Sequence, residues 1–202
     1  SGSMSDCAQY MLPLRCHYDC NAGITKNCIV SSVSACTGNV CGGTCRNPRN
    51  HYVDCNNTKM DLAKQSNHVF IDKIFNVSGN KVGLVGYKTA VATSDTHNLS
   101  TNSTSLKNKV NAWVESGNTC VCCGINRGIV LLNNTNNSLK VMVVMSDGIA
   151  NVNCSAGGSS VAKQNAINAS CKAKNNYNIT VHAVGFGSDV DENTLQQIAQ
   201  CG

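Results

Sequence analysis

What this chain lacks narrows its class. No apolar run approaches the roughly 20 residues that span a bilayer, so no segment of it is expected to cross a membrane. Charged residues make up only 13% of the chain and aromatic ones 4%. The net charge of +5 comes from Lys and Arg scattered singly, without the basic runs or interleaved aromatics that mark nucleic-acid binding, so no nucleic-acid partner is expected. There is no internal repeat and no heptad, which sets aside solenoids and coiled coils. No G-x-S-x-G elbow precedes a helix. His182 lies in a segment that reads as a buried strand and is expected to be a core residue, while His17, His51, His68 and His97 carry no motif. A Cys nucleophile would have to stay reduced among fourteen cysteines, so the chain is not expected to be an enzyme.

Cysteine is what the chain has in excess. Fourteen in 202 residues point to an oxidising compartment, because cytosolic thiols stay reduced and rarely accumulate without a metal to bind. Zinc is the rival use of clustered Cys. The pairs Cys16/Cys20 and Cys41/Cys45, each separated by three residues, are not followed by a second pair or a His pair at finger spacing. Asn-x-Ser/Thr sequons begin at Asn56, Asn76, Asn98, Asn102, Asn133, Asn136, Asn153, Asn168 and Asn178. In a chain this rich in Asn chance alone supplies roughly five, and the excess points to a glycosylated protein outside the cell or on its surface.

The chain is long enough for one sizeable core, and a single domain spanning 1–202 with a large insertion is the expected organisation. Residues 5–58 hold eight of the cysteines and no sustained hydrophobic period, the pattern of a loop-rich module in which disulfides replace a core. From Lys59 an α/β body is expected over 59–202. The three- and four-residue spacing of Ala63, Phe70, Ile71 and Ile74 predicts a helix over 59–75, and the apolar run 81–89 a buried strand. A helix follows at about 104–115, capped by Ser103 or Thr104, then a shorter one over 124–132. Residues 140–145 read as the clearest buried strand, 160–175 as a helix, 178–185 as a strand and 191–200 as a last helix. Alternating strands and helices imply a mostly parallel sheet with helices on both faces, in which ligands bind at the carboxyl ends of the strands.

The stretches KMDLAKQSNHVFIDKIF, KVGLVGYKT, ESGNTCVCCGINRGIVLL, KVMVVMSDG and ITVHAVGFG followed by DENTLQQIA, in this order, resemble a von Willebrand factor A domain. Ser1-Gly2-Ser3-Met4 resembles the end of that family's Asp-x-Ser-x-Ser motif, the first loop of a metal-ion-dependent adhesion site, although a tag remnant before Met4 would read the same way. The resemblance implies a three-layer, Rossmann-like α/β fold whose first, central strand is missing from this chain together with the first metal-binding Asp. By motif matching it assigns Ser1 and Ser3 to the first metal loop, Thr119 to the second and Asp147 to the third. Such oxygen donors suit Mg2+, with Mn2+ or Ca2+ as alternatives, bound weakly or not at all here for want of the missing carboxylate. Asp6 lies past the place where that carboxylate belongs, and Asp95 and Asp189 read as solvated loop residues.

On this resemblance the expected function is an extracellular or surface-displayed adhesion module whose cation accepts a carboxylate from a protein partner. The alternative is a structural subunit of a surface filament, pilus or surface layer with no metal-dependent ligand. In that case a groove between 81–89 and 140–145 would accept a strand, either from the missing N-terminal segment or from a neighbouring subunit. Cys120, Cys122 and Cys123 flank the second loop and read as disulfide partners of the 5–58 insertion. Cys154, Cys171 and Cys201 are left to the other end of the domain or the same rim, with the pairing open.

Overall fold

The computed structural model of the chain describes residues 7–10, 14–19, 25–30, 32, 50–53, 55–135, 139–147, 149–154, 158–187 and 190–202. The chain forms two compact units, one spanning Asp6–Thr58 and the other built chiefly from Lys59–Gly202.

The smaller unit contains short antiparallel strands rather than loops alone. β1 (Cys7–Tyr10) pairs with β5 (Cys55–Thr58), and β2 (Arg15–Asp19) is flanked by β3 (Thr25–Ile29) and β4 (Asn50–Val53). Their sequences, such as TKNCI and CNNT, show no alternation of apolar and polar residues, which is why no strand is legible in them. Cys16 and Cys28, both disulfide-bonded, stand opposite each other in the β2–β3 register.

The larger unit follows the expected alternation. α1 (Lys59–Phe75) leads to β6 (Val82–Tyr87), then α2 (Ser103–Asn111), α3 (Val121–Asn133), β8 (Lys140–Ser146), α4 (Ala162–Tyr177), β9 (Ile179–Gly185) and α5 (Glu192–Cys201). β7 (Val91–Ser100), antiparallel to β6, has no counterpart in the sequence reading. Its sequence VATSDTHNLS is too polar to signal a strand, and β6 supplies the pairing that local pattern does not. Asp95, expected in a solvated loop, therefore lies in a strand, where it is mostly buried and ion-paired to Lys88 at 3.3 Å. Asn102 caps α2, its side-chain oxygen accepting from the Ser105 N–H at 2.9 Å, one residue before the expected caps.

Strand alternation shows where the helices lie. Val82 and Leu84 of β6 are buried with Ile71 of α1 and Leu106 and Val110 of α2. Tyr87, of opposite parity, meets Gly124 of α3. On β8, Met142 touches Gly128 of α3, whereas Met145 Sδ accepts a hydrogen bond from Asn67 of α1 at 3.4 Å. Helices thus cover both faces of the strands. A second core joins Ile125 and Ile129 of α3, Val144 of β8, Ala166, Ala169 and Ala173 of α4, Ile179 and Val181 of β9, and Ile198 of α5.

β8 and β9 pair in parallel without a slip, from Lys140 opposite Ile179 to Ser146 opposite Gly185. Among the described residues β6 pairs only with β7, and β8 only with β9. The two strand pairs therefore each keep an edge with no described neighbour. His182, expected in the core, is exposed: on β9 it alternates with buried Val181.

Close approach to α3 explains its glycines. A Cβ on Gly124 would lie 2.6 Å from the Tyr87 ring, and one on Gly128 would lie 2.7 Å from the Met142 methyl. The ring is rigid and the methyl is the tip of a flexible chain. Gly124→Ala should therefore destabilise the protein by about 1–3 kcal/mol. Gly128→Ala should change stability by less than about 1 kcal/mol, helped by the better helix propensity of Ala. Urea denaturation of both variants checks this, and equal losses would refute it.

Candidate functional site

Three segments meet at the carboxyl ends of β6 and β8. The first is the turn after Tyr87, where the Lys88 N–H donates to the Ala90 carbonyl at 3.0 Å. The second is the approach to α3. Here the Cys120 N–H donates to the Lys88 carbonyl at 2.6 Å and the Asn118 N–H to Thr89 Oγ1 at 3.1 Å. Gly117 makes this turn with φ of +65°, and a Cβ there would meet Thr89 Oγ1 at 2.7 Å. The third is the segment after β8. Its Asn151 side-chain oxygen accepts from the Thr119 N–H at 2.8 Å, and the Asn151 and Val152 N–H groups donate to the Thr119 carbonyl at 3.1 and 3.3 Å.

Thr119 and Asp147 are brought onto these adjoining segments, one directly before α3 and the other directly after β8. Both are buried, at 5% and 2% exposure, which is unusual for polar residues in loops. Ser1 and Ser3, assigned to the first metal loop, lie outside the described residues, as do Asp6 and Asp189. The described donors are a hydroxyl and a carboxylate at strand ends, a set whose chemistry fits a hard divalent cation.

Tyr87 was not singled out by sequence. Its hydroxyl donates to the Met145 carbonyl at 2.5 Å and so links the two strand pairs across edges that no described strand covers. Burial drives its phenol far above the usual tyrosine range; a hydrogen bond with Ser146 opposes this and the negative charge of Asp147 adds to it. Asn151, the side chain that fixes Thr119, was also missed, because a single Asn in an Asn-rich chain carries no signal.

The cysteines around α3 correct the expected pairing. Cys120 bonds to Cys123, Cys122 to Cys154, and Cys171 to Cys201. None of these six is joined to the 5–58 segment. Cys122–Cys154 instead staples the first turn of α3 to the segment after β8, and Cys171–Cys201 joins α4 to α5. The Sγ atoms of Cys120 and Cys122 lie 3.7 Å apart, so the two bridges at α3 are neighbours. The sequence does hold a signal for this cluster, the C-x2-C spacing of Cys120 and Cys123.

The family model for the von Willebrand factor type A domain matches residues 55–202. No curated protein sequence matches the chain. Among solved structures, the conserved hypothetical protein BatB from Bacteroides thetaiotaomicron is 14% identical with a TM-score of 0.56, over 73% of this chain and 78% of that one. A mutant of the PilB minor pilin from Streptococcus sanguinis is 16% identical with a TM-score of 0.60, over 73% and 49%. Proximal thread matrix protein 1 from the mussel byssus, with a zinc-occupied MIDAS motif (the metal-ion-dependent adhesion site), is 18% identical with a TM-score of 0.51, over 69% and 36%. At such identities the likeness is one of fold.

Tyr87 generates a pH prediction. Its folded pKa lies above the unfolded value of about 10, so its stabilising contribution is complete below that pH and is lost as pH rises beyond it. Tyr87→Phe should cost about 1 kcal/mol near neutral pH, through the lost bond to Met145. The gap between wild type and variant should then narrow above about pH 10. Chemical denaturation at pH steps across that value measures it, and a constant gap would contradict the coupling.

Proposed function

The chain belongs to the von Willebrand factor type A domain family, and on that premise we propose that it is a binding module of an extracellular or surface-displayed protein. In this reading a divalent cation, Mg2+ or a similar hard ion, is held by Thr119 and Asp147 with Ser1 and Ser3 of the first loop. An open position on the cation then accepts a carboxylate from a protein partner. What supports the proposal is that Thr119 and Asp147 are both buried and lie on neighbouring segments at the strand ends where α/β folds bind ligands.

Setting supports it as well. Disulfides hold the domain, and of the nine sequon asparagines Asn76, Asn98, Asn102, Asn133, Asn153 and Asn178 are exposed and open to glycosylation. Among the described residues no helix is long and apolar enough to cross a membrane.

A second reading, the structural subunit, is favoured by one observation, the edges of β6 and β8 that no described strand covers. An extended segment added there would gain main-chain hydrogen bonds on both sides. Under this reading ordered assemblies seen by electron microscopy should persist in a chelator, and their loss on chelation would count against it.

The leading proposal predicts that a carboxylate-rich protein surface binds in Mg2+ and is released by chelator. Loss of an outer-shell partner alone weakens metal sites by about 10–100-fold. Asp147→Asn, a near-isosteric change for a buried residue, should weaken the interaction at least that much. Calorimetric titration with Mg2+ and Mn2+, paired with binding assays, tests both points, and binding that ignores chelator would sink the mechanism.

A further inference from the structure

We propose that Cys120, Cys122, Cys123 and Cys154 form a zinc–thiolate site in the reduced protein, and that the Cys120–Cys123 and Cys122–Cys154 disulfides are the oxidised state of that same cluster. This inference does not rest on the adhesion reading. It concerns sulfur ligands and a softer metal than the oxygen donors of Thr119 and Asp147 would select.

Three of the four sulfurs are already clustered: those of Cys120, Cys122 and Cys123 all lie within 4.8 Å of one another, and Cys154, outside that group, is held beside it by its bond to Cys122. Zinc–thiolate bonds of about 2.3 Å in a tetrahedron place sulfurs about 3.8 Å apart. The unbonded contact between Cys120 and Cys122 is already 3.7 Å. Within each bridged pair the Cα atoms are 5.2 and 6.1 Å apart, so their sulfurs can part by side-chain rotation.

The surroundings suit an anionic cluster. Cys120 and Cys122 are almost fully buried. The Asn126 amide, one turn beyond Cys122 on α3, donates to Cys154 Sγ at 3.5 Å, the kind of outer contact that orients a metal ligand. No side chain caps α3, and three of the four cysteines occupy its cap and first turn, where the helix dipole favours negative charge.

The step balances. Each disulfide takes two electrons and two protons from one dithiol reductant, which leaves as its own disulfide. Zn2+ then displaces the protons of the thiols it binds. Oxidation of the thiolates by a disulfide reverses the sequence and expels the metal.

The test uses the full chain, reduced with a dithiol and freed of it anaerobically. Co2+, the spectroscopic stand-in for zinc, should develop sulfur-to-metal charge-transfer and tetrahedral d–d bands for one equivalent, which Zn2+ bleaches. The quadruple variant Cys120→Ser, Cys122→Ser, Cys123→Ser and Cys154→Ser should lose that equivalent. Because that variant can fail to fold, a second measurement uses the wild-type chain alone. Zn2+ should slow alkylation of these four cysteines at least about tenfold, read by peptide mass spectrometry, while Cys171 and Cys201 react as before. Absence of the bands, their persistence in the quadruple variant through the other ten thiols, or uniform alkylation would each overturn the proposal.

Discussion

Two hydrogen bonds between Thr119 and Asn151, one main-chain and one accepted by the Asn151 side chain, hold the approach to α3 against the segment that follows β8, and the rest of the site is arranged around that junction. The same two segments are closed covalently by Cys122–Cys154, across 32 residues of sequence. A loop of that size loses about 3 to 4 kcal/mol of unfolded-state entropy in the chain-entropy account of disulfides. The hydrogen bonds set the geometry and the bridge keeps the alternatives few. Cys120 adds the third side, through its N–H on the Lys88 carbonyl at the end of β6.

α3 packs against both strand pairs. Its Gly124 admits the Tyr87 ring from β6 and its Gly128 the Met142 side chain from β8. Tyr87 then reaches across to the Met145 carbonyl. One phenol hydroxyl bridges strands that share no backbone hydrogen bond among the described residues. Its burial beside Asp147 ties the structural link to the charge at the candidate cation site, since raising one negative charge next to another is unfavourable there.

Two kinds of donor therefore stand side by side at the head of α3. Thr119 and Asp147 offer oxygen at the strand ends, the choice of hard cations; the next residues in the chain offer sulfur. In the oxidised protein the sulfurs are spent in disulfides and serve as staples. Ligand softness, rather than distance, distinguishes the two sets of donors.

The sequence by itself determined the order of elements in the larger unit, β7 apart. α1 was legible to the residue, from Lys59 to Phe75, because Ala63 and Ile71 mark its buried face by helical period. The strand at Lys140–Ser146 and its closing Asp147 were legible because a short apolar run ending in a turn has few other readings. Motif alone also pointed to Thr119 and Asp147, and both prove buried. What needed tertiary structure was everything set by a partner distant in sequence. β7 exists because β6 pairs with it, His182 is exposed because of where β9 lies, and Asp95 leaves the solvent because Lys88 faces it. The disulfide partners follow the same rule: Cys composition shows that bridges form, but only folding brings Cys122 to Cys154 and Cys171 to Cys201. Local pattern encodes period and propensity, whereas pairing depends on which of many segments arrives, and that is decided by the packed core.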